Sequence, residues 1–233
     1  SKGLEKSEHI SKIIVHPTNS DKIWVAAQGP LWSSGGERGL YKSIDGGKTW
    51  KQKILGLNEW TGVTDILIDP RNPNILYAAS WQRHRNVAAY IGGGPGTAIY
   101  KSLDGGETWK KLKSCLPSGN VGKIGLYISP INPDVIYAAI ELERRKGGIY
   151  RSDNLGESWT KMSNTVSGGT GPHYYQELIP SPHVFDKIFL MNNYVLISED
   201  GGKTFYQMNE SQKHVDSHAL VFKQDDPNYL LFG

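Results

Sequence analysis

His214-Val-Asp216-Ser-His218 sets three metal-ligating side chains at alternate positions, so an extended segment would present all three on one face. Two imidazoles and a carboxylate suit a divalent cation, but the same alternation serves as a polar lead into a strand. That second reading is adopted, because a metal site also needs a defined geometry and outer partners. No cofactor is expected. Elsewhere the chain collects Trp32, Trp60, Trp81, Arg83, His84, Arg85, Arg144, Arg145, His173, Tyr174 and Tyr175 in segments rich in glycine and proline. Aromatic faces stack on sugars or peptide side chains, and guanidinium groups grip carboxylates. Each also has a structural use: tryptophans plug loops against strands, and arginines sit solvated or ion-paired.

What positions these residues is a phrase stated four times. It reads Ser43-Ile-Asp45-Gly-Gly47-Lys-Thr-Trp50, Ser102-Leu-Asp104-Gly-Gly106-Glu-Thr-Trp109, Ser152-Asp-Asn154-Leu-Gly156-Glu-Ser-Trp159 and Ser198-Glu-Asp200-Gly-Gly202-Lys-Thr-Phe205. Such intervals, about 50 residues, belong to small repeated sheets. Asp-Gly-Gly between short β-rich runs predicts a tight hairpin, since glycine accepts positive φ and the carboxylate accepts nearby amides. Hydroxyls add local bonds, and the closing aromatic anchors the turn.

A second phrase precedes each hairpin, as in Ile66-Leu-Ile-Asp-Pro70-Arg-Asn-Pro-Asn-Ile75-Leu-Tyr77-Ala-Ala79. Two apolar runs there flank a Pro/Asn/Asp turn, which predicts strand, turn, strand. The two phrases together make four strands, A to D, per repeat. The expected fold is therefore all-β: a β-propeller of four-stranded antiparallel blades at about 9–56, 62–115, 121–164 and 174–210, with a partial blade at 217–233. A solenoid needs shorter periods, and a sandwich would not repeat its turn chemistry. About four and a half blades predict an incomplete ring, finished by the remaining blades of a longer chain or, less simply, by a second copy.

Antiparallel strands put the A–B and C–D turns at one side and the B–C and D–A loops at the other. The four hairpins thus share a tight structural side, while the long loops carrying the aromatic and basic residues share the opposite one. Gly92-Gly-Gly-Pro-Gly96 lacks the strand-to-helix setting and the Lys-Ser/Thr of a phosphate loop. Lys and Arg total 26 against 23 Asp and Glu, a balance that argues against nucleic acid as a partner. No apolar run reaches membrane-spanning length. Cys115 is the single cysteine, which rules out an internal disulfide, and Asn209-Glu-Ser211 matches a glycosylation acceptor.

The repeated Ser-x-Asp-x-Gly-x-Thr-Trp resembles the Asp-box, or BNR, motif of sialidases, xyloglucan-type glycoside hydrolases and sortilin. Gly39 to Trp50, Ile68 to Pro73, Tyr77-Ala-Ala-Ser-Trp-Gln-Arg83, Gly93-Gly-Pro-Gly96 and Asp216-Ser-His-Ala-Leu220 are similar more narrowly to large bacterial sortilin-like repeat proteins, often labelled glycosyl hydrolases. That resemblance implies an exported protein, secreted or periplasmic, with carbohydrate or peptide as ligand. An Asp-box marks a blade rather than a reaction. The sialidase arginine cluster, introduced by Arg-Ile-Pro, has no counterpart. A glycosidase needs two carboxyl groups facing across the bond, and Glu59 and Asp216 are the nominees. The leading expectation is a non-catalytic binding propeller acting through its B–C and D–A loops. The alternatives are part of a glycoside hydrolase module, sialidase-like or xyloglucanase-like, and a structural scaffold.

Overall fold

A computed structural model describes residues 3–53, 58–142, 146–167 and 175–233. The chain divides into two compact units, 1–113 with 117–124, and 114–116 with 125–233. The first unit holds two antiparallel sheets. One is β1 (Ile10–His16), β2 (Asn19–Ala27), β3 (Gly39–Ser43) and β4 (Lys51–Gln52), paired in that order. The other comprises β5 (Thr61–Ile68) and β6 (Leu76–Gln82), then, beyond a separate β7 (His84–Arg85) and β8 (Tyr90–Ile91) hairpin, β9 (Ile99–Ser102) and β10 (Lys110–Lys111). In the second unit β11 (Ile124–Ile128), β12 (Ile136–Glu141), β13 (Gly147–Ser152) and β14 (Thr160–Ser163) form one blade. The next is β15 (Leu178–Pro180), β16 (Ile188–Leu190), β17 (Leu196–Ser198) and β18 (Tyr206–Gln207), and β19 (Leu220–Phe222) pairs with β20 (Leu230–Phe232). These are the four-stranded blades of a β-propeller. Three of the four outermost strands, β4, β10 and β18, are only two residues long, because the hairpin phrase claims their first half and leaves little edge to recruit another chain.

The hairpins follow from hydrogen bonds inside eight residues. Ser43 Oγ donates to Asp45 Oδ1 at 2.7 Å and accepts the Gly47 amide at 2.8 Å. Asp45 Oδ1 accepts the Lys48 and Thr49 amides at 3.0 and 2.9 Å, and Oδ2 accepts the Thr49 hydroxyl at 2.6 Å. Ser102/Asp104 and Ser198/Asp200 repeat the pattern. In the third blade Asn154 accepts the Ser158 amide and gives its own amide to the Ser158 hydroxyl, both at 2.9 Å, so the knot survives without charge. Each hairpin then docks on the A–B turn of its own blade. Gly46, Gly105, Leu155 and Gly201 donate to Asp21, Asn74, Asp134 and Asp186 carbonyls at 2.9 to 3.0 Å. The C–D and A–B turns therefore lie on one side, as the strand count requires.

Burial runs from blade to blade. In the first unit Trp24, Ala26 and Leu40 pack on Val63, Ile66, Leu76 and Ala78 of the next sheet. In the second unit Tyr137, Ala139 and Ile149 pack on Leu178, Ile188 and Leu190, while Phe189 and Ile197 pack on Leu220. Trp24, Tyr137 and Phe189 occupy matching positions in their second strands and all face forward. Over this seam runs a latch. Lys42, the residue before the hairpin serine, donates to the Gly105 carbonyl at 2.7 Å and to Glu107 at 2.6 Å. Arg151, at the same place in the third blade, reaches Asp186 at 2.6 Å, as does the Tyr137 hydroxyl.

The hairpin aspartates carry a pH signature. The Thr204 hydroxyl, the Thr204 amide and further local donors pull the Asp200 carboxyl down to about 2, and Asp45 and Asp104 are held well below the ordinary carboxylate range by the same kind of bonding. Depressed folded values mean stabilisation that is whole above the unfolded value of about 4 and is lost as pH falls through the folded values. Denaturant titrations between pH 7 and 2 are expected to show a smaller acid-dependent loss for the triple variant D45N/D104N/D200N than for the parent. Leu155 holds φ +57° where the other hairpins have glycine. Leu155→Gly is expected to stabilise the protein by about 1 kcal/mol in the same titration, since a side chain in the left-handed region costs about that much.

Candidate functional site: the loop-rich side

On the opposite side of the first unit, three loops are pinned to one another. The 28–38 loop is wound around Arg38, whose guanidinium donates to the carbonyls of Gly35 and Gln28 at 2.7 and 2.8 Å, of Ser33 at 2.6 Å, and of Pro30. Arg38 is 4% exposed. Gly35 donates to the Glu59 carbonyl, Arg83 to the Trp60 carbonyl and Arg85 to the Leu31 carbonyl, at 2.8 to 3.1 Å. These backbone bonds bring Trp32, Trp60, His84 and Arg85 into one region. The Trp60 and His84 rings lie 4.3 Å apart, and the Arg85 guanidinium sits 5.4 Å over Trp32, which is 61% exposed. Glu59 is exposed beside them.

Two expected ligand contacts lie lower. Trp81 is 3% exposed and donates its indole N–H to the Gly92 carbonyl at 2.8 Å, so it serves as the loop plug rather than as an exposed platform. Arg83 stacks 5.0 Å from the Trp81 ring and is buried. Burial holds the Arg83 and Arg38 guanidinium groups below their usual range, and proximity to Arg83 adds to the effect on Arg38. The glycines at 92–96 have a packing cause: a Cβ on Gly93 would meet the Val121 carbonyl at 2.8 Å, and one on Gly94 would meet the Gln82 amide at 2.5 Å. The loop thus closes on Gln82 of its own blade and on the backbone at Val121 rather than around a phosphate.

In the second unit Tyr175 is 2% exposed, and its hydroxyl donates to Asp216 at 2.6 Å. Asn193 donates to the same carboxylate oxygen at 2.9 Å, and Asp216 holds φ +72°. The His218 ring stacks on Tyr175 at 4.9 Å, whereas the His214 ring turns to the Val215 carbonyl. Asp216 is thereby oriented by its neighbours, and the two histidines make separate contacts; among the described residues no three ligands converge as a metal set. Arg144, Arg145, His173 and Tyr174 lie outside the described residues. On the hairpin side, a cavity of about 410 Å³ is lined by Lys42, Ile44, Thr49, Trp50, Lys51, Lys53 and Glu107. Glu107 pairs with both Lys42 and Lys53, so most of its charge is neutralised at the seam.

Arg38 was not among the sequence candidates. Its signal was the Gly39-Leu-Tyr-Lys-Ser strand directly behind it: a basic residue at the mouth of a Gly-rich loop has carbonyls within reach.

The BNR/Asp-box repeat pattern matches residues 100–111. Xyloglucanase Xgh74A of Acetivibrio thermocellus is 24% identical over 252 residues, covering 95% of this chain and 28% of that enzyme. Among solved structures, an ancestral GH74 enzyme superimposes with TM-score 0.65 at 16% identity, over 93% of this chain and 28% of the other. The Niastella koreensis GH74 enzyme gives TM-score 0.60 at 24% identity, over 91% and 31%. Fold and repeats together define an Asp-box β-propeller of glycosyl hydrolase-like type. The chain spans less than a third of the length of these relatives.

Arg38→Met leaves four carbonyls without their donor. It is expected to cost at least about 3 kcal/mol and to speed amide hydrogen exchange across residues 28–38 while the 102–109 hairpin stays protected. Unchanged exchange in the loop would dismiss Arg38 as its organiser.

Proposed function

We propose that this chain is the carbohydrate-binding part of an exported glycosyl hydrolase-like propeller, gripping a glycan along the loop-rich side of its first two blades. One observation carries the reading: two ring-based pairs, Trp32 with Arg85 and Trp60 with His84, stand on loops that backbone bonds hold rigid. Flat faces of this kind stack on sugar rings, and fixing them beforehand lowers the ordering cost of binding. The xyloglucanase relatives support a carbohydrate ligand and an extracellular setting, and no helix of the described residues is long and apolar enough to cross a membrane.

A second reading is hydrolysis, with Asp216 as one of two acids. Its support is the carboxylate held by Tyr175 and Asn193 on a left-handed backbone, since such strain collects at working sites. Affinity electrophoresis and calorimetry of the chain against xyloglucan and a panel of other glycans test the first reading. Binding that weakens about tenfold in Trp32→Ala and Trp60→Ala is expected. Retention of no glycan, or equal binding by both variants, would end it. Release of reducing ends that disappears in Asp216→Asn would establish the second.

A further inference from the structure

Among the described residues, Arg83 is the guanidinium of the loop cluster whose unfilled donors are buried, whereas Arg85 is exposed over Trp32. The Arg83 backbone is fixed by the Trp60 carbonyl and its guanidinium plane lies 5.0 Å from the Trp81 ring, yet Nε and Nη2 make no hydrogen bond among the described residues. Those two nitrogens form a single edge of the guanidinium, the edge that meets both oxygens of a carboxylate. The contrast with Arg38 is direct: Arg38 is also buried, and each nitrogen of its guanidinium donates to a carbonyl. A buried cation with an unfilled bidentate edge costs the fold stability unless something completes it.

Resting on the glycan reading above, we propose that Arg83 is the anchor for a carboxylate carried by the bound glycan, so that the loop-rich side selects acidic sugars over neutral ones. The acid group pairs with the Nε and Nη2 edge while the sugar ring beside it stacks on the Trp60–His84 pair. Arg83 directly precedes β7, and Tyr90 of β8 is close enough to act on its charge. The edge is closed to solvent, so the carboxylate enters by peeling β8 from β7, a ladder of two residue pairs, 84 with 91 and 85 with 90, while β7 stays held by the Leu31 carbonyl. Arg38 and Arg85 add positive charge to the region, against which Glu8 and Glu59 are exposed acids.

The test compares a polyuronate oligosaccharide with its methyl ester, and a glycan ending in a 2-keto sugar acid with its amide, by calorimetry on the wild-type chain and on Arg83→Lys and Arg83→Met. The expected result is that at least one acid binds about tenfold or more tightly than its neutral partner. Which acid does so says whether the carboxylate lies within the glycan or at its end. Both variants lose that preference, the lysine form despite keeping its charge, and the methionine form does not melt below the wild type, because in it an unpaired buried cation has been removed. Equal binding of acid and neutral forms overturns the carboxylate subsite and leaves the glycan reading standing. If no glycan of either kind binds, both readings fall. A preference that survives in both variants, or melting several degrees lower in both, overturns the assignment to Arg83. An acidic peptide binding where the glycans do not overturns the glycan as the carrier of the carboxylate.

Discussion

The capture of turn amides by a carboxylate or carboxamide two residues after a serine is the interaction on which the rest of this structure depends. It sets the path of each C–D turn so that the second glycine presents a bare Cα outward. In the first unit a Cβ at Gly106 would come within 2.7 Å of Trp24 Nε1, and in the second a Cβ at Gly202 would come within 2.7 Å of Ile149 Cγ2. The knot is local, but its consequence is long-range. By holding a side-chain-free surface in place it lets the preceding blade approach, and the aromatic of that blade is buried as a result.

The charged latch builds on the same geometry. A basic residue just before the serine stacks on the aromatic of the neighbouring strand, Lys42 over Trp24 and Arg151 over Tyr137, and then reaches the following turn. In the first unit the partner is Glu107, the sixth residue of the next hairpin phrase; in the second that sixth position is Lys203, and Asp186 takes over. Like charge at the one position has moved the ion pair to another residue of the same turn cluster. The cavity beside Glu107 is a by-product of this seam, which accounts for its place on the tight side and for its largely paired lysines.

The loop side works by other means. No repeated phrase organises it; a single guanidinium bonded to four carbonyls winds the 28–38 loop, and backbone bonds from Gly35 to Glu59 and from Arg85 to Leu31 tie that loop to its neighbours. Trp81 and Trp32, equivalent as sequence signals, end in opposite roles: the first belongs to a central strand and is swallowed, the second stands on a loop and is left out. The cluster in the second unit follows a similar logic. Buried Tyr175 supplies the hydroxyl that orients an exposed Asp216, so the acid owes its orientation to a residue that no ligand need touch.

The four blades and the direction of every hairpin were legible in the sequence, because each rests on contacts spanning at most four positions, repeated until the pattern could not be missed. The alternation of tight and long connections followed from strand count alone. What tertiary structure decided was partnership. Lys42 finds its acceptors 63 and 65 residues away, and nothing in the local spelling says that Glu107 rather than another acid will be there. The same holds for Arg38 and Arg83, two arginines of similar burial, one satisfied and one not. Local hydrogen bonding is written in neighbouring letters, whereas burial and pairing depend on which distant surfaces the finished blades bring together.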